Sequence, residues 1–248
     1  MRKICLLLLV LCSLHGSARG AEVTVAVASN FSAPMQKLAQ AFEQETGHKA
    51  LLSFGSTGNL YAQIRNGAPY EVLLAADDAT PRKLEAEGLG VAGSRFTYAI
   101  GTLVLWSKQP GLVDEKGDVL RSGKFERIAI ANPKLAPYGA AAVETLTQMG
   151  VLQTVQPKVV QGENISQTYQ FVATQNAQLG FVALSQVMVD GRVSQGSAWV
   201  VPAHLHSPIR QDAVLLAKGR DAPAAAALMR FLRSERARAL IRTFGYAL

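Results

Sequence analysis

The chain has 248 residues, 49% apolar and 17% charged, enough for one large domain or two smaller ones and too apolar for a disordered segment. Its formal net charge is +7. Both cysteines, Cys5 and Cys12, fall in an N-terminal stretch that reads as an export leader, so the mature protein is expected to lack a disulfide, a thiol nucleophile and a cysteine metal site.

The leader reading rests on Arg2 and Lys3, the apolar run from Ile4 to Leu11, and the small residues of Ala18-Arg19-Gly20. Cleavage is expected between Gly20 and Ala21. The run is shorter than the ~20 residues of a permanent anchor. Leu11 is bulky where a lipid-modified Cys12 would want a small neighbour. Without Arg2, Lys3 and Arg19 the charge falls to +4.

From there strands and helices alternate. Val23 to Ala28 is a strand. Ser29 and Asn30 then read as capping residues before a helix whose face is Met35, Leu38, Ala39 and Phe42, stopped by Gly47. Leu51 to Phe54 is a strand, Gly55-Ser56-Thr57-Gly58 a turn, and Leu60, Tyr61 and Ile64 mark a helix ending at Gly67. Val72 to Ala75 is a third strand, followed by Asp77-Asp78, read as a cap and surface turn, and by a helix with Pro81 near its start. The long apolar run Phe96 to Trp106 reads as extended chain crossing between two lobes.

The second half repeats the theme. It predicts a strand at Ile128 to Ala131, a loop over Asn132 to Gly139, a helix over Ala140 to Met149, and a strand at Lys158 to Val160. Glu163-Asn164-Ile165-Ser166 leads into a helix through Phe171 and Ala173. Leu179 to Leu184 is a strand with a helix, Ser185 to Val189, behind it. Trp199 to Val201 and Ala213 to Ala217 are late strands, and one helix is expected over Ala222 to Phe244. In it Arg230, Arg233, Arg236, Arg238 and Arg242 interleave with Leu228, Phe231, Leu232, Leu240 and Ile241, an amphipathic helix with a solvated basic face rather than a nucleic-acid surface. The fold class expected is α/β: two Rossmann-like lobes with mostly parallel sheets, residues 21–102 with 208–248 forming the first and 103–207 the second, joined by two crossover segments.

Ligands in such folds bind beyond the carboxyl ends of strands, where helix N-termini present unpaired N–H groups and a partial positive charge. Four turns there carry small hydroxyl, amide or glycine residues: Ser29-Asn30, Gly55 to Gly58, Pro137-Tyr138-Gly139 and Asn164-Ile165-Ser166. Each alone is an ordinary helix start; the set, two from each half, points to an anion. No Arg or Lys lies inside the four segments. Neutral donors without acceptors suit an anion that holds no proton at neutral pH, such as sulfate, molybdate or tungstate, over phosphate.

Other motifs fall away. Gly88 to Gly93 spells a dinucleotide fingerprint but follows a helical stretch instead of a strand. His204-Leu205-His206 supplies too few ligands for a metal. A hydrolase using Ser29, Ser56 or Thr57 as nucleophile would need a base, and His15, His48, His204 and His206 are poorly placed in the sequence to serve.

The residues at these turns also resemble a known family, the periplasmic molybdate-binding proteins of ABC transporters. The stretches that carry the likeness are 25–31 VAVASNF, 54–58 FGSTG, 61–64 YAQI, 66–70 NGAPY, 75–77 AAD, 93–101 GSRFTYAIG, 103–106 LVLW, 130–133 IANP, 136–139 APYG and 179–184 LGFVAL. The resemblance implies a type II periplasmic binding-protein fold, two lobes closing on a buried oxyanion, and no catalytic residues. It implies a ligand set of Ser29, Asn30, Ser56, Thr57, Tyr138 and Ile165, the last through its main-chain N–H, with molybdenum held only as the oxyanion and never by direct protein–metal bonds. It further implies no cofactor, a periplasmic monomer, molybdate or tungstate as ligand, and a membrane permease as partner. Many members carry a ligand-binding Tyr where this chain has Ala183; another branch supplies the phenol from the Pro-Tyr-Gly turn, as Tyr138 would here.

Overall fold

The computed structural model describes residues 20–189 and 191–248. The leader reading, with Cys5 and Cys12, lies outside the described residues. The strands in chain order are β1 (Glu22–Ala28), β2 (Lys49–Gly55), β3 (Val72–Leu74), β4 (Phe96–Gly101), β5 (Leu103–Ser107), β6 (Ile128–Ala131), β7 (Val159–Gly162), β8 (Leu179–Ala183), β9 (Met188–Val189), β10 (Arg192–Val193), β11 (Ser197–Val200) and β12 (Ile209–Leu215). The helices are α1 (Ser32–Thr46), α2 (Thr57–Arg65), α3 (Ala79–Ala86), α4 (Val119–Ser122), α5 (Pro137–Gln148), α6 (Leu152–Val155), α7 (Ile165–Ala173), α8 (Leu184–Val187), α9 (Pro223–Phe231) and α10 (Glu235–Thr243).

Two five-stranded sheets organise the chain, ordered β2-β1-β3-β12-β4 and β7-β6-β8-β5-β11. The two orders correspond strand for strand. In each, a second strand (β1 or β6) has parallel neighbours on both sides, and the fourth (β12 or β5) is antiparallel to both of its own. The chain passes from the first sheet to the second at Thr102, between β4 and β5, and returns between β11 and β12. The apolar run from Phe96 is therefore two strands in two sheets.

Alternation along each strand sends neighbouring side chains to opposite faces. Val23, Val25 and Val27 of β1 pack with Phe31, Met35, Leu38 and Phe42 into one cluster, while Ala26 joins Leu60, Ile64 and Leu84 on the other face. In the second sheet Leu103 and Leu105 face one cluster, Val104 and Trp106 another. Both faces of both sheets are covered, which is why the strands read as near-continuous apolar runs. Each fully buried Phe, Met or Leu contributes about 1.5–3 kcal/mol.

Several boundaries differ from the sequence reading. Ser29 and Asn30 do not cap α1: with Phe31 they form a 3-10 turn, and α1 starts at Ser32 with no side-chain cap. Helix α5 starts at Pro137, three residues before the expected Ala140, because proline suits a first turn whose N–H would go unused. The helix expected at Ser185 to Val189 is the four-residue α8, and Met188–Val189 turns into a hairpin with Arg192–Val193. The single C-terminal helix is two, because Ser234 Oγ accepts from Ala237 N–H at 3.2 Å and starts α10 afresh. Four of the five arginines are engaged: Arg236 pairs with Glu45, Arg238 and Arg242 lie against Glu235, and Arg233 covers the Phe96 ring. Asp77, not Asp78, supplies the cap to α3, accepting from Thr80 N–H at 2.7 Å.

Candidate functional site

The site lies where the carboxyl ends of the two sheets face each other. Parallel pairing sets Ala28 beside Gly55 at the end of the first sheet, and Ala131 beside Gly162 at the end of the second. The chain leaving β1 forms the Ser29–Phe31 turn, and that leaving β2 enters α2. In the other sheet the chain leaving β6 reaches α5, and that leaving β7 enters α7. Corresponding positions of the two sheets thus build one place.

A cavity there is lined by Ala28, Ser29, Asn30, Gly55, Ser56, Thr57, Ala76, Ala136, Pro137, Tyr138 and Ile165. All six residues singled out in the sequence line it, and none of its eleven lining residues carries a charge. Ala183 is not among them, whereas Tyr138 is. The cavity is small, on the scale of a single water molecule in this closed form, and leaves no space for a ligand of organic size.

Hydrogen-bond accounting shows what the lining offers. In α2, Gly58 N–H donates to Leu135 O at 2.9 Å, Asn59 N–H to Ser56 Oγ and Leu60 N–H to Ser56 O. In α7, Ser166 and Gln167 N–H both donate to Asn164 Oδ1 at 3.0 Å, and Thr168 N–H to Asn164 O. In α5, Pro137 has no N–H, and Gly139 and Ala140 donate to Ala136 O. Among the described residues, one first-turn N–H is left over in each helix: Thr57, Ile165 and Tyr138. These three residues line the cavity. Unspent N–H groups at the positive ends of three helices make an anion-attracting surface without any formal charge.

The side chains divide into two groups. Ser29 Oγ has no hydrogen-bond partner within the protein among the described residues, so it is free to act in the cavity. Thr57 Oγ1 accepts from Ala76 N–H at 3.0 Å and keeps its own proton to donate. Ser56 Oγ is the cap of α2. Asn30 commits its amide nitrogen to the interior: Nδ2 donates to Gln211 Oε1 at 2.8 Å and to the Tyr246 hydroxyl at 3.1 Å.

Behind the cavity lies a polar network that the sequence reading missed. It joins Asn30, Tyr98, Gln211 and Tyr246 to Tyr138 and Ser185, all buried. Burial foremost, aided by the neighbouring phenols, pushes Tyr138 and Tyr98 well above the usual tyrosine range. Burial also pushes Tyr246 up to about 12. All three phenols are therefore neutral at physiological pH. The sequence signal was the polar pair Gln211-Asp212 inside an apolar strand, both fully buried. Asp212 is met by Arg95 and by Thr97 Oγ1 at 2.7 Å.

The two sheets' elements also touch directly around the cavity. Besides Gly58 to Leu135, Ser166 Oγ donates to Ser29 O at 3.1 Å and Ser185 Oγ to Asn30 O at 3.0 Å. The cleft is thus closed. Among the described residues no group of three His, Asp or Glu side chains could hold a metal ion, and no helix is long and apolar enough to cross a membrane.

Comparison with known proteins agrees with this geometry. A family model described as bacterial extracellular solute-binding protein matches residues 23–247. The molybdate-binding protein ModA of Azotobacter vinelandii is 58% identical over 232 residues, spanning 94% of this chain and 92% of that protein. ModA of Rhodobacter capsulatus is 50% identical over 229 residues, spanning 92% and 89%. The solved periplasmic molybdate-binding protein of Azotobacter vinelandii superposes with a TM-score of 0.88 at 42% identity, covering 91% of this chain and 99% of that one. Two lobes of matching topology, a neutral donor-lined cleft and likeness along nearly the whole length lead to one conclusion: the chain belongs to the bacterial extracellular solute-binding proteins.

Proposed function

We propose that this protein captures molybdate, and also tungstate, between two lobes in the periplasm and hands it to the permease of an ABC transporter. It is a binding protein, not an enzyme. The observation that carries the reading is the set of three unspent helix N–H groups, at Thr57, Tyr138 and Ile165, around a cavity with no charged lining. A fully deprotonated tetrahedral dianion can accept from every one of them. A ligand that keeps a proton would need an acceptor in the lining.

In this reading Ser29 and Thr57 donate through their hydroxyls, Tyr138 through its phenol and N–H, and Ile165 through its N–H. Ser56 serves chiefly as the cap that holds α2 in place. Asn30 contributes by its main chain, its amide nitrogen being committed elsewhere. We assign residues 21–102 and 208–248 to one lobe and 103–207 to the other, with cleavage before Ala21 and a monomeric mature protein. Lobe closure selects the ligand because only an ion of the right size bridges both donor sets.

Calorimetry on the mature protein tests the proposal. Molybdate and tungstate are expected to bind with sub-micromolar affinity and to displace sulfate in competition. No heat with either metal oxyanion, or tighter binding of sulfate, would overturn it.

A further inference from the structure

The polar network behind the cavity has a direction, and two main-chain carbonyls set it, since a carbonyl can only accept. Tyr246 donates to Asn30 O at 2.9 Å. Its oxygen therefore accepts from the Asn30 side chain, which must present Nδ2 there. The same Nδ2 donates to Gln211 at 2.8 Å, so Gln211 presents Oε1. The single Tyr98 proton is shared between Ala75 O at 3.0 Å and that same Oε1 at 3.1 Å. The remaining amide nitrogen of Gln211 then faces Tyr138 and donates to its hydroxyl at 3.2 Å. Tyr138 becomes an acceptor on its inner side, and its own proton is left for other partners. Tyr246 has given its proton to Asn30 O, and its oxygen already faces Asn30 Nδ2 at 3.1 Å and Ser185 Oγ at 2.9 Å, which leaves the cavity as the outlet for the Tyr138 proton.

The backbone is built to make this contact. The β12–β4 register shifts between Gln211 and Asp212, passing over Tyr98, so a bulge aims successive side chains inward. A Cβ at Gly101 would collide with the Tyr138 hydroxyl and lie 2.7 Å from Gln211 Nε2. Only glycine leaves room for the two to meet.

We infer that Gln211 is a positioning residue for ligand recognition: it forces the Tyr138 phenol to donate into the cavity, and so tunes the site to an oxyanion bearing no proton. The inference rests on the oxyanion reading above but concerns a residue that does not line the cavity.

The test is a double-mutant cycle read by calorimetry with molybdate. In the wild-type background Tyr138→Phe is expected to weaken binding about 10–100-fold, as for a hydrogen bond to a charged group. Gln211→Glu replaces the donating nitrogen with an oxygen. Once ionised, the carboxylate accepts the Tyr138 proton itself. In that background at pH 9, Tyr138→Phe is expected to cost less than about twofold further. Molybdate affinity of Gln211→Glu alone should fall as pH rises through the titration of the new carboxyl group, while the wild type stays flat. An equal cost of Tyr138→Phe in both backgrounds overturns the inference. Should the variant not fold, a neutron structure of the molybdate-bound wild type decides. Deuterium on Tyr138 pointing at the anion supports the assignment; deuterium running from Tyr138 to Gln211 or to Tyr246 overturns it. Absence of molybdate binding by the wild type would instead sink the ligand reading.

Discussion

Ser166 Oγ donates to the main-chain carbonyl of Ser29 across 3.1 Å, tying the first turn of α7 to the end of β1 in the opposite sheet. The bond exists only with the cleft shut, so it adds to the closed form and to nothing else. Ser166→Ala is expected to weaken molybdate binding by about 0.5–1.5 kcal/mol while leaving the melting temperature of the open, ligand-free protein unchanged. Calorimetry paired with a thermal melt checks both halves.

Ser29 and Thr57 should behave differently although both offer hydroxyls. Ser29 Oγ has no partner among the described residues, so Ser29→Ala should cost about 1.5–3 kcal/mol of molybdate affinity and almost no stability. Thr57 Oγ1 also satisfies Ala76 N–H. Thr57→Val should therefore lose affinity and also lower the melting temperature by about 2–8 °C, because a buried N–H is left without a partner. Equal melting temperatures for the two variants would contradict this placement.

The phenols predict the pH behaviour. Their folded pKa values are raised by burial, that of Tyr246 to about 12. A raised folded value means that the stability is fully present below the unfolded value near 10 and is lost as pH climbs from there through the folded values. Denaturant titrations should show stability falling between about pH 10 and 12. Molybdate affinity should be level from about pH 6 to 9, since neither ion nor donors titrate there.

Asp212 is fully buried and its charge is met by Arg95. Arg95→Met should destabilise the protein by about 3 kcal/mol, because it strands a buried carboxylate with Thr97 alone. The double variant Arg95→Met with Asp212→Leu should recover most of that loss in urea unfolding.

What the sequence made legible was local. Strand-to-helix turns announce themselves by Gly, Ser, Thr and Pro, so Ser29, Ser56, Thr57, Tyr138 and Ile165 could be marked before any fold was known. The start of α5 at Pro137 and the break at Ser234 were misplaced because a proline in a first turn and a mid-helix serine are each compatible with two readings. The network behind the cavity was out of reach for a different reason. Asn30 meets Gln211 and Tyr246 across 181 and 216 positions of chain, and Tyr98 meets Gln211 across 113. No periodicity reports a contact of that span. It depends on the strand order that brings β12 between β3 and β4.

The strand-for-strand correspondence of the two sheets bears on how cargo leaves. In the proposed site the donors that replace water come from both halves of the molecule, Ser29 and Thr57 from one and Tyr138 and Ile165 from the other. Parting them strips several donors from the ion in one movement and readmits water on that side. On the proposed reading, residence time follows how often the jaws part, and a permease that held them apart would empty the protein without touching the ion.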